Sequence, residues 1–277
     1  MYLYSMRKSL LSLFLVFSLI PALSGQEALF VPNEGQWSGD FSHKMPLKYG
    51  GLFFEKDAVQ IVLRDARQLE DLHGHDMHEA GLSHEANVLK GHAVRIKFLN
   101  ATPTEAQGHQ PTSFYHNYFL GEDSTFWRGG VKPTRRLTYS ELYPKTTLAF
   151  GQSGNHVKYQ WHLADPSTMD RIQWTYEGAT KTEISPEGAL IIHTSIGTFL
   201  ESAPVGWGWK DGERIDFGIW YEKEHNILRF KTEAIAHTLD SLVLDPQLIF
   251  TSFSGSLTDN WGFSATYDDQ GRLYGAG

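Results

Sequence analysis

The chain contains no cysteine. That excludes disulfides, a thiol nucleophile, Cys-ligated zinc and a lipid anchor through an N-terminal cysteine. Positive charge is also in short supply, with 24 Lys and Arg against 32 Asp and Glu and a formal net charge of −8. No basic excess is available to attract phosphates, so nucleic acid is not an expected partner. Beyond residue 25 no apolar run is long enough to cross a bilayer. Catalytic signatures are missing as well: there is no G-x-S-x-G elbow, no P-loop and no G-x-G-x-x-G after a strand. The expectation is a protein that is not an enzyme and takes no cofactor.

What the chain does have is aromatic mass. Among 277 residues are 8 Trp, 12 Tyr and 17 Phe, and 41% of the chain is hydrophobic. This composition suits a packed globular body rather than a disordered one. Residues 1–25 read as a secretory signal peptide. Arg7 and Lys8 precede the apolar run SLLSLFLVFSLIPAL, and Ala22 and Ser24 supply small residues for cleavage near Ser24 or Gly25. The mature protein is therefore expected to use the export machinery, to lack a transmembrane segment after cleavage, and to end outside the cell or on its outer surface.

The dominant period after the signal is two. In VKYQWHL (157–163), Val157, Tyr159, Trp161 and Leu163 share one face, while Lys158, Gln160 and His162 share the other. Similar alternation marks 92–99, 171–178, 189–194, 197–202, 214–222 and 226–232. Asp211-Gly212 and Pro186-Glu187-Gly188 supply turn chemistry between runs, and Asn226 and Gly151 to Gly154 mark further turns. Many short strands joined by such turns predict an all-β fold with a β-sandwich-like antiparallel domain over 26–245. Residues 64–91 interrupt the pattern as a polar insertion, weakly helical at its start.

That insertion holds HGHDMHEAGLSHEANVLKGH (73–92), with five of the chain's 13 histidines. His73, His75, His78 and His84 are candidate metal ligands, since His73 and His75 have strand spacing and the others sit beside Glu79 and Glu85. Neither HEAGL nor HEANV completes H-E-x-x-H, and Gly74, Gly81 and Gly91 favour a solvated loop. Trp207, Trp209, Trp220 and Tyr221 flank the Asp211-Gly212 turn. Exposed in a row they would be candidates for stacking sugar rings; packed together they would stabilise a hairpin. Acidic residues such as Glu201, Asp211, Glu213 and Asp216 could serve a glycosidase only if two of them faced each other across a groove.

The C-terminal segment LDPQLIFTSFSGSLTDNWGFSATYDDQGRLYGAG resembles the opening of the SBBP β-propeller repeat. The resemblance lies in Leu244, Asp245, Pro246, Leu248, Phe250, Gly255, Asp259, Gly262, Asp268, Gly271, Tyr274 and Gly277. Upstream, FVPNEGQW (30–37), GHAVRIKFLNA (91–101), HNYFLG (116–121), WRGGV (127–131) and LYPKTTLAFGQSGNHVKYQWHLADPSTMDRIQWTYEGA resemble the β-rich domain preceding such repeats. Departures occur at Lys145, Thr146 and Thr147, and at Lys158 and Gln160 where the pattern carries carboxylates. The resemblance implies that 246–277 begin the first propeller repeat of a longer chain. It also implies a secreted or cell-surface scaffold or adhesion protein of Bacteroidetes type, exported by type IX secretion. Its partners would be extracellular ligands, polysaccharide among them, and a carbohydrate-active protein is the alternative.

Overall fold

The computed structural model describes residues 29–66, 68–69, 89–153, 156–249, 264–267 and 273–276. Its fold is all-β and antiparallel. One sheet has eight strands in the order Val31–Pro32, His43–Leu47, Gly50–Phe54, Ala58–Arg64, Gly91–Phe98, Gln173–Glu177, Ile227–Thr232 and Ile219–Glu224. The second follows the order Lys181–Ile184, Leu190–Thr194, Gly197–Glu201, Gln247–Ile249, His156–Leu163, Thr146–Ser153, Thr134–Ser140 and Gln107–Pro111. A three-stranded branch leaves it, in which Ser241–Asp245 pairs with both His156–Leu163 and Val205–Lys210, and the latter pairs with Glu213–Phe217.

Alternation explains why the two sheets face each other. Tyr159, Trp161 and Leu163 all point inward from one strand and are buried, as a period of two requires. Opposite them, Val94, Ile96 and Phe98 do the same from the first sheet. Phe98 meets Trp161 edge-on at 5.6 Å, and Phe54 meets Phe150 at 5.1 Å. Such T-shaped pairs match ring edge to ring face. A single apolar core results, shared by both sheets. At the edge, Phe30 and Thr134 exchange two backbone hydrogen bonds of 2.9 Å and tie one sheet to the other.

Most expected strands lie where the alternation puts them, with three differences. Residues 214–222 form two strands, not one. The chain leaves the second sheet after Phe217 and enters the first at Ile219, with Gly218 between. Gly151 lies inside the strand Thr146–Ser153 instead of in a turn. The expected boundary at Asp245 falls within the sheet, because Gln247–Ile249 pairs with both His156–Leu163 and Gly197–Glu201. Beyond it, Ser264–Tyr267 and Leu273–Ala276 pair antiparallel with each other. No helix among the described residues is long and apolar enough to cross a membrane.

Candidate functional site

The most unusual chemistry of the interior is a carboxyl group. Glu201 follows Phe199 by two residues on one strand, so alternation carries both inward, and Glu201 is fully buried. Three phenols converge on it. Tyr159 and Tyr221 donate to Oε1, the latter at 2.8 Å, and Tyr176 donates to Oε2. Glu201 and Tyr159 belong to one sheet, Tyr176 and Tyr221 to the other. The cluster is thus a polar tie across the sandwich.

Burial pushes the Glu201 pKa up, against three phenol hydrogen bonds that pull it down. All three tyrosines are raised well above 10, first by burial and then by the carboxylate. Each group has a partner, as buried polar groups require. With no solvent access, the cluster orders the core and offers no surface to a reactant.

The four aromatic candidates do not form one platform. The strand VGWGWK alternates Gly inside and Trp outside. A Cβ on Gly206 would lie 2.4 Å from Phe217, and one on Gly208 2.3 Å from the Ser241 carbonyl oxygen. Trp207 and Trp209 therefore share the outer face, with Arg214 stacked 4.5 Å over Trp207 and held by Asp216 at 2.9 Å. Trp209 is 37% exposed. Trp220 sits on the outer face of the other sheet, 47% exposed, whereas Tyr221 is 3% exposed and belongs to the Glu201 cluster. Asp211, Glu213 and Asp216 are exposed residues of the hairpin, whereas Glu201 is buried, so they do not face it across an open groove.

His73, His75, His78 and His84 lie outside the described residues. From the same stretch, His92 is described: its Nε2 donates to the Gly178 carbonyl at 2.8 Å, and its Nδ1 accepts from the Ser195 amide at 3.2 Å. Both ring nitrogens are thus engaged in joining strands. Among the described residues, no three His, Asp or Glu side chains are grouped to hold a metal.

The arrangement with most to offer a partner was not singled out as a site by the sequence reading. Strands His116–Tyr118 and Arg128–Val131 form a small separate hairpin. On and around it Phe114, Tyr115, Phe119, Leu120, Phe126 and Trp127 are all exposed. Six large apolar residues exposed so close together in sequence contrast with the singly scattered ones that are ordinary on a protein surface. The rings are held in place: Phe119 meets Trp127 at 5.7 Å, and Trp127 Nε1 donates to the Gly121 carbonyl at 3.2 Å.

The turn FVPNEGQW anchors this hairpin. Asn33 Oδ1 accepts from the amides of Gly35 and Trp37, and Gln36 Nε2 donates to the Pro32 carbonyl at 2.6 Å. Arg128 then reaches from the hairpin to the Glu34 carbonyl at 2.5 Å. Gly35 has φ +101°, and any Cβ there would sit 2.5 Å from the Arg128 guanidinium. Trp37 stacks edge-on to Tyr118 at 5.0 Å. Two stretches nearly a hundred residues apart in sequence thus form one unit.

A family model described as a domain of unknown function (DUF7948) matches residues 30–247. No curated protein and no solved structure matches the chain.

Proposed function

The chain belongs to the DUF7948 family, and we propose that this domain is a non-catalytic module of an exported protein, working by surface contact as a scaffold or adhesion element. The observation that carries the reading is the exposed aromatic hairpin at 114–131, braced through Arg128 and Trp37 against the body of the sandwich. Rigid rings lose little conformational freedom on binding, which suits them to contact surfaces. The signal-like residues 1–25 and the SBBP-like residues 246–277 support placement outside the cell, at the start of a longer chain of Bacteroidetes type that leaves by type IX secretion.

A second reading, carbohydrate contact, is favoured by Trp207 and Trp209 on one outer face. The test of the first is made in the native bacterium. Protease added to intact cells should remove the protein from the cell surface. Purified full chain should then sediment with the envelope fraction, and a Phe119→Ser/Trp127→Ser variant should stay in the supernatant. An intracellular protein, or equal sedimentation of both forms, would overturn it.

A further inference from the structure

On the outer face of the eight-stranded sheet lies a groove of about 600 Å³, within the range of small-ligand sites. Its floor is one row of directly opposed residues: Phe53 faces Gln60, and Gln60 faces Arg95. One wall is the loop carrying Phe41, whose ring meets Phe53 edge-on at 5.0 Å. That loop closes over Gly39, which has φ +131° and leaves only 2.9 Å between a would-be Cβ and the Phe41 ring. The other wall is the turn carrying Glu55 and Asp57.

We propose that this groove binds a neutral saccharide unit, with Phe41 taking the apolar face of the sugar ring and Gln60 and Arg95 its hydroxyls. Phe53, perpendicular to Phe41 and capped by the Lys44 ammonium at 5.4 Å, braces that ring from below. The charge pattern selects the ligand class. Arg95 donates to Glu55 from Nε at 2.8 Å and from a terminal nitrogen at 2.5 Å, and lies 3.6 Å from Glu177. Lys97 is paired with Asp57. Lys56, which also lines the groove, is paired with Glu105 at 3.5 Å, so each cation of the lining is taken up by a carboxylate and none is left to draw an acidic sugar.

These ion pairs still carry spare lone pairs and N–H groups, fixed in direction before a ligand arrives. Such preorganisation lowers the cost of binding. Half-buried Gln60 supplies two donors and an acceptor between the aromatic and the charged ends, and its amide has no hydrogen-bond partner among the described residues. Ring faces carry partial negative charge and attract the C–H face of a sugar.

A series of ring contacts links the groove to the hairpin. Ring contacts run from Phe53 to Phe41, to Trp37 at 6.2 Å, to Tyr118 at 5.0 Å, to His116 at 6.0 Å and to Phe114 at 5.6 Å. Even so, the groove is a second site, and it stands whether or not the hairpin holds a partner.

The test is electrophoresis of the full chain through gels containing laminarin, mannan or hydroxyethylcellulose, all neutral, with anionic alginate in a fourth. Retardation in at least one neutral gel is expected. Gln60→Leu and Phe41→Ala should each weaken it roughly fivefold or more, while Trp127→Ser should not. Melting curves identify a variant that fails to fold, and either groove variant suffices. Mobility unchanged in every neutral gel, retardation by alginate alone, or retardation equal in wild type and both groove variants would overturn the proposal.

Discussion

Two regions of this domain use the same residue types to opposite ends. Around Glu201, tyrosine and phenylalanine rings are sealed between the sheets, and every phenol oxygen has a partner. Along 114–131, aromatic rings are exposed, with Trp127 pinned by a hydrogen bond to the Gly121 carbonyl and packed edge-on to Phe119. The difference teaches that ring count says little about function until it is known which rings are covered. A covered ring adds stability and an exposed, braced one adds contact. Substitutions in the first region should therefore cost stability and leave the surface intact, and substitutions in the second should do the reverse.

The largest expected effect comes from removing the shared acceptor. Glu201→Ala leaves three buried phenols without their carboxylate, and should cost on the order of 4 kcal/mol. Thermal unfolding should show a fall of about 10 °C or more in Tm. A loss below about 1 kcal/mol would mean that the cluster adds nothing to the sealed region.

His43 gives the next largest effect. Burial lowers its pKa from 6.5 to about 4. Between those values the unfolded chain binds a proton that the folded one refuses, so stability falls as pH falls through this window. The loss is up to about 3 kcal/mol, and His43→Gln should remove it. Denaturant titrations at pH 4, 5, 6 and 7 measure the slope.

Glu201 acts with the opposite sign. Its pKa is raised from the ordinary 4.5, so the folded chain keeps a proton that the unfolded one has lost. Stability then falls as pH rises from 4.5 through the raised value. The two slopes oppose each other in the wild type and separate only in single variants. Glu201→Gln should remove the second slope and cost about 1–2 kcal/mol at pH 5, because its amide cannot accept from every phenol.

The smallest stability change belongs to the exposed region. Phe119→Ser/Trp127→Ser should stay within about 1 kcal/mol of wild type while losing envelope retention. A large drop in Tm would place the hairpin with the sealed core and erase the contrast.

How far the sequence discloses this arrangement depends on the reach of each interaction. Alternation locates the strands and their inner faces, and Asp211-Gly212 forms its turn with φ of 50° and 84°, as a tight hairpin demands. The same alternation runs unbroken through Gly218, with Phe217 and Tyr221 both inward, so it hides the change of sheet there. Trp220 and Tyr221 could be separated by rule, since adjacent residues of a strand face opposite ways.

Parity with Phe199 places Glu201 inside, yet its phenol donors stand 42, 25 and 20 residues away, and no local pattern announces them. The groove is less legible still, because Phe53, Gln60 and Arg95 become neighbours only through strand register. The hairpin was within reach of the sequence, as the aromatic density of SFYHNYFLGEDSTFW shows.

The most direct test of surface contact is a hydrogen–deuterium exchange footprint of the full chain, with and without the envelope fraction that retains it. Slowed exchange should appear in 112–131 and in the supporting turn 33–41. Slowed exchange confined to other surfaces, such as the edge strands Lys181–Ile184 and Glu213–Phe217, with the hairpin unchanged, would contradict the account.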